Sequence, residues 1–198
     1  MTRRSGCLLA VLLGITLLGC AVAGVRWITH DPLGDRGTPI PRPAVQNPSP
    51  SWSPSPHPGF DNEDDMRYDV ERRTLDAAGA YRPMTSECRP GYQGCTVTFG
   101  GIEVAWTVTV TTSTRILVAY HIDAAALAVT GESVHANLAY RYPGARDLRC
   151  DDLPDVFLAP KGRPYGPRCY VVQDRFDDSR RVDIVAAEGG VGFREVDE

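Results

Sequence analysis

Three catalytic signatures are missing from the sequence: a G-x-S-x-G nucleophile elbow, a phosphate-cradling glycine loop and an H-E-x-x-H pair. Their absence leaves acyl transfer, nucleotide binding and zinc hydrolysis without a recognisable home. Basic charge is scarce where the chain can fold. Residues 59 to 198 hold 16 Lys and Arg against 23 Asp and Glu, a balance of -7, whereas residues 1 to 58 balance at +3. An acidic module offers no field for phosphates, which argues against a nucleic-acid partner. Histidine is sparse, with His121 and His135 alone in the core-forming part. Both stand in text that reads as strand, opposite Tyr120 and Val134, and so read as surface or edge residues rather than as bases. The carboxylate pairs Asp151-Asp152, with Asp155 nearby, and Asp177-Asp178 sit in turn-like text, where such pairs form turns and solubilise. No enzyme, cofactor or metal site is expected.

The N-terminus, by contrast, has a long uncharged run. "MTRRSGCLLAVLLGITLLGCAVAGVRW" carries Arg3 and Arg4, no charge from Ser5 to Val25, and then Arg26 and Trp27. That length suits a helix crossing a hydrocarbon core of roughly 30 Å and exceeds the usual signal-peptide apolar region. The charge bias puts the N-terminus inside and everything after it outside. The expectation is a cytoplasmic tip and transmembrane anchor or signal segment over 1–28, retained in the membrane as a single pass. Cleavage after "AVA" (Ala21 to Ala23), which would release a secreted protein, and lipidation of Cys20 in "LLGC" are the alternatives. Residues 29–60 follow with Pro at 39, 41, 43, 48, 50, 54, 56 and 58, and read as a disordered, extended spacer.

Cysteine gives the next signal. Cys7 and Cys20 lie in the apolar run, leaving Cys88, Cys95, Cys150 and Cys169 for the exported part. Four cysteines in an oxidising compartment allow three pairings. The preferred one joins Cys88 with Cys95 and Cys150 with Cys169, because each pair encloses a Pro- and Gly-rich span whose ends must meet if strands leave it. Spacings of 7 and 19 with few histidines fit zinc poorly.

Around these pairs the text is periodic. "DNEDDMRYDVERRTLDAAGAY" predicts an amphipathic helix with Asp61 or Asn62 as N-cap, acids in its first turn, and Met66, Val70, Thr74, Ala77 and Tyr81 on one face. The acids read as cap and dipole chemistry, since no EF-hand spacing accompanies them. Ile102, Val104, Trp106, Val108 and Val110 alternate with polar or small residues, a period of two. Ile116, Val118, Tyr120 and Ile122 repeat the pattern, and the text after Cys169 divides at Asp177-Asp178-Ser179 and Gly189-Gly190 into three short strands. Between the halves, Val134, Ala136, Leu138, Tyr140 and Tyr142 alternate strictly and Gly131 weakens a helix, so Ser133 to Tyr142 reads as a strand after a helical turn at Ala124 to Ala128. A helix there would instead make the chain an internal duplication. The expected fold is α+β: one N-terminal amphipathic helix and about seven antiparallel strands over 61–198, in two cystine-loop plus meander half-units, 61–123 and 124–198.

The C-terminal quarter resembles an actinobacterial family of exported, membrane- or lipid-anchored domains with a Cys-Pro-Asp-Asp-Leu-Pro-like loop, a glycine, a second cysteine and then strands. The matching residues are Cys150, Asp151, Asp152, Leu153, Pro154, Gly166 and Cys169, then "YVV" and "RRVDIVAAEGGVGF". The resemblance implies architecture and location only. The order helix, cystine, sheet also looks like the secreted β-lactamase inhibitors of streptomycetes, without their repeated Gly-Met-Thr signature.

One bracket carries interface chemistry. Within Pro154 to Arg168, Phe157, Leu158 and Tyr165 stand beside Arg163 and Arg168 on a disulfide-closed loop, the residue types that dominate protein interfaces. Core plugging by Phe157 and Leu158 is the competing use. The expected function is a membrane-tethered extracellular binding or structural module of the cell envelope, with an envelope or secreted protein as partner. An inhibitor of an extracellular enzyme acting through that loop is the alternative.

Overall fold

The computed structural model describes residues 31–40, 62–113, 118–173 and 179–196. The chain divides into two units, 1–34 and 35–198. Of the first, 31–34 are described, a turn in which the Leu33 amide donates to Asp31 Oδ1 at 3.0 Å.

The second unit is mostly antiparallel sheet. Its elements are β1 (Thr38–Pro39), α1 (Asn62–Ala78), β2 (Met84–Cys88), β3 (Cys95–Phe99), β4 (Ile102–Ser113), β5 (Val118–Asp123), β6 (Ala126–Thr130), α2 (Gly131–Arg141), β7 (Asp147–Cys150), β8 (Val156–Pro160), β9 (Pro164–Val172), β10 (Ser179–Ala187) and β11 (Gly190–Val196). Three sheets result: β2-β3-β4-β5, the pair β6-β8, and β1-β7-β9-β10-β11. One apolar core joins the halves, running from Ile40 through Met66, Val70, Phe99, Trp106, Leu127, Leu138 and Val171 to Ala186.

This corrects the expected plan of one helix and about seven strands behind a transmembrane helix. Among the described residues there are eleven strands and two helices, and no helix is long and apolar enough to cross a membrane. The apolar run 5–25, the Asp61 cap and the Asp177-Asp178 turn lie outside the described residues.

Both disulfides form as expected, Cys88–Cys95 and Cys150–Cys169. In each, the cysteines are directly opposed across an antiparallel ladder, β2 to β3 and β7 to β9, with Cα atoms 4.0 Å apart. One step beyond each pair, a backbone bond closes the ladder: the Arg89 amide donates to Gly94 O at 2.9 Å, and the Asp151 amide to Arg168 O at 2.8 Å. Each cystine therefore occupies a position whose backbone groups point away from its partner strand, where opposed Cα atoms approach most closely. Gly94 is required at its corner: its φ is +113°, and a Cβ would come within 2.7 Å of Trp106 O.

The first meander follows the sequence pattern except at Val110, which is exposed beside a register shift against β5; Ile116 lies outside the described residues. β4 turns Val104 and Trp106 inward and Glu103, Ala105 and Thr107 outward. α1 lays Met66, Val70, Thr74 and Ala77 into the core. The expected continuation to Tyr81 fails, because the helix ends at Ala78, before Gly79 at φ +70°, and leaves Tyr81 exposed.

The second half departs from expectation. Gly131 to Arg141 is a helix, not a strand. Thr130 caps it, its Oγ1 accepting from the Ser133 amide at 3.1 Å. Gly131 begins the helix rather than interrupting it, in a spot where a Cβ would lie 3.0 Å from Pro154 O. Val134, Leu138 and Tyr142 are four apart as well as even-numbered, so one buried stripe satisfies both periods; Tyr140, off that stripe, is 65% exposed. The expected helical turn at Ala124 to Ala128 is instead largely β6. The Cys150–Cys169 bracket, too Pro-rich to suggest a buried strand, holds β8, which pairs β6 from Ala126↔Pro160 to Thr130↔Val156. Pro167 is tolerated in β9 because the β9–β10 register shifts there, at Asp183/Ile184.

The Pro-rich stretch expected to be a spacer over 29–60 begins inside the fold. Thr38 and Pro39 pair Cys150 and Arg149, the Ile40 amide donates to Leu148 O at 2.9 Å, and Ile40 is buried.

Candidate recognition groove

The bracket residues expected to meet a partner divide in the structure. Phe157 is 4% exposed and stacks on Tyr165, ring centroids 4.5 Å apart, so it fills the core rather than facing a partner. Tyr165 is half-buried by that stack. Leu158, Arg163 and Arg168 are exposed. Strand alternation explains the division: on β8, Phe157 and Ala159 point in, Leu158 and Pro160 out. The bracket thus keeps an exposed apolar residue and two arginines but loses its aromatic anchor.

Polar side chains near it are committed to joining the halves. The Arg82 guanidinium grips Asp155 at 2.9 and 2.5 Å and reaches Glu132 at 3.5 Å. It holds the Asp155 carboxyl below the ordinary carboxylate range. Lys161, the only lysine in the chain, donates to both Asp123 and Glu188, and Arg73 meets the other oxygen of Glu188 at 2.6 Å. Asp123 first, then Glu188, raises the Lys161 pKa, and that contact lowers the Asp123 carboxyl. These groups tie α1 and β5 to the strand ends of the second half, and none is poised as a neutral base. His121 is exposed; His135 lies half-buried in α2, where burial lowers its pKa. No group of three or more metal-ligating side chains occurs among the described residues.

The recess that sequence reading missed lies between the end of α2 and β11. A cleft of about 740 Å³ is lined by Tyr140 and Arg141 from α2, Pro143, and Val191, Gly192 and Phe193 from β11. A second cleft of about 410 Å³ shares Arg141 and Pro143 and continues to Gln173 and Arg180. Together they form a groove that is aromatic and aliphatic at one end and cationic at the other. Its wall is fixed: Tyr142 is 6% exposed, its hydroxyl donates to Glu195 Oε1 at 3.1 Å, and Glu195 Oε2 accepts from Arg180 at 3.1 Å. Burial first, then Glu195, pushes the Tyr142 phenol up. No residue in the groove has the nucleophile–base geometry of a catalytic centre; what it offers is apolar area beside hydrogen-bonding edges.

No family profile, curated protein or solved structure matches the chain, so the groove's chemistry is read from its own residues.

Proposed function

We propose that the chain is a non-catalytic, extracytoplasmic binding module of the cell envelope that holds a protein partner in the groove between α2 and β11. The observation that carries this reading is Tyr140: a large aromatic, 65% exposed at the end of a well-anchored helix, facing an apolar cleft instead of closing over the core. An aromatic held on a rigid element beside a recess is the usual anchor of a protein interface. Location rests on the uncharged run from Ser5 to Val25 with arginines before it, read as an export element that keeps the module at the membrane, and on two disulfides, which persist outside the reducing cytosol.

The test is a photo-crosslinking residue placed at Tyr140 of the full chain in its host, with the same residue at exposed Tyr81 as control. A discrete protein adduct from position 140 and none from position 81 is expected. No adduct from 140, or the same adducts from both, overturns the reading.

A further inference from the structure

β11 is the last strand of its sheet and pairs only β10 among the described residues. The β10–β11 connection is a two-residue hairpin, Ala187 opposing Gly190 across Glu188-Gly189. The closing pair of such a hairpin exchanges both backbone bonds, and the pattern alternates from there. Gly190, Gly192, Arg194 and Val196 therefore direct their amides and carbonyls to β10. Val191, Phe193 and Glu195 direct theirs outward, along the floor of the groove.

Exposed edges are ordinarily blunted by proline, charge, a bulge or a covering loop. The opening of β11, Gly190-Val191-Gly192-Phe193, has no proline or charge, and its register against β10 is unbroken. Nor does the interior demand glycine at 192: its φ is not positive, and the nearest atom to an added Cβ is Val185 O at 3.7 Å. A strand glycine without an internal reason marks a place where another backbone comes close.

The sequence of β11 says which backbone. Turned antiparallel on itself about Phe193, the strand sets Gly190 opposite Val196, Val191 opposite Glu195, and Gly192 opposite Arg194. Val196 and Arg194 of one copy meet Gly190 and Gly192 of the other, Glu195 meets Val191, and Phe193 meets Phe193. This register overlaps all seven residues of the strand and brings outward-facing residues together, as an antiparallel ladder requires, for about six hydrogen bonds. Paired side chains share a face. The Glu195 side chain of the second copy, held by its own Tyr142 and Arg180, would thus fall on the Val191 side.

Resting on the reading of the groove as a protein-binding site, we infer that its occupant is a second copy of this chain, joined through β11 to β11 about a two-fold axis into one continuous sheet. The test is the mass of the full chain in detergent micelles by sedimentation from 1 to 100 μM, with amide hydrogen exchange read at β11. A dimer is expected, with the Val191, Phe193 and Glu195 amides slowing as concentration rises. Gly192→Lys puts a cation opposite Arg194 of the other copy and should weaken the dimer at least tenfold. Gly192→Glu, equal in bulk and opposite in sign, should retain it. A monomer throughout the range, outward amides that ignore concentration, or a dimer indifferent to Gly192→Lys overturns the inference. An adduct from position 140 to a different protein, with the chain monomeric, would sink the self-pairing and leave the groove's role standing; no adduct at all would sink the latter.

Discussion

The two disulfides should differ measurably in what they contribute, and the structure says by how much. Replacing both cysteines of either pair by alanine leaves the native ladder in place, because each pair is already in register beside a closing backbone bond. The loss then falls mainly on the unfolded chain, whose freedom the bond restricts. For sequence separations of 7 and 19, the chain-entropy relation gives about 2.5 and about 3.3 kcal/mol. Cys150 and Cys169 are also 1% and 0% exposed, so losing two sulfurs from the core adds about 1 kcal/mol or more; the other pair loses one core sulfur, that of Cys95, since Cys88 is only half-buried, and adds about half as much. The expected order is about 4 to 5 kcal/mol for Cys150–Cys169 and about 3 for Cys88–Cys95, a large part of an ordinary domain's stability. Urea denaturation of the full chain in micelles, followed by the fluorescence of buried Trp106, measures both. The denaturant slope should rise in each variant as the unfolded state expands. Equal losses within 0.5 kcal/mol, or a greater loss at Cys88–Cys95, would refute the reasoning.

Two further outcomes are expected. Thr74→Val removes the acceptor of the buried Trp106 Nε1–H, 2.9 Å away, and the donor to Val70 O at 2.7 Å; stability should fall by about 1 to 3 kcal/mol, with Thr74→Ser close to wild type in the same denaturation experiment. Lys161→Met tests the ion cluster by its pH dependence. Asp123 and Glu188 raise the Lys161 pKa in the fold, so that contribution is complete below the unfolded value of about 10.4 and is lost as pH climbs through the higher folded one. Lys161 lowers Asp123, whose contribution is complete above about 3.9 and is lost as pH falls through its lower folded value. The stability gap between wild type and variant should therefore be flat around neutrality and close at both extremes; a gap that persists unchanged in acid and alkali contradicts the assignment.

Local chemistry was legible where one pattern had one interpretation. Cys88 and Cys95 enclose Pro90, Gly91 and Gly94, and the chain can only turn there; Val104 and Trp106 alternate with polar neighbours on a strand buried on one side. Val134, Leu138 and Tyr142 satisfied two periods at once, and the choice between them lay partly in contacts remote in sequence: the bond that Thr130 Oγ1 donates to Ala78 O at 2.9 Å and the space beside Gly131 filled by Pro154. Reading that segment as a strand hid the groove, since Tyr140 faces β11 only if the segment is helical. Phe157 takes the competing use, core plugging, for a related reason. Its loop composition concealed β8, and on a strand its inward side was already decided by alternation.

The docking of Thr38, Pro39 and Ile40 changes what a cut in the Pro-rich stretch would do. Residues 41–61 connect β1 to α1, both in the same unit, so the chain from the N-terminus first meets the sheet at β1. A protease nicking that connection would sever the covalent path and leave non-covalent contacts as the hold, among them the Thr38 and Pro39 pairing, the Thr38 hydroxyl on Asp152 Oδ1 at 3.2 Å, the Arg36 guanidinium over the Tyr170 ring and the seated Ile40. Short edge pairings of this kind open readily. The module would thus part from the residues before 41 at a seam set by β1, with both cystines intact and the rest of the sheet undisturbed.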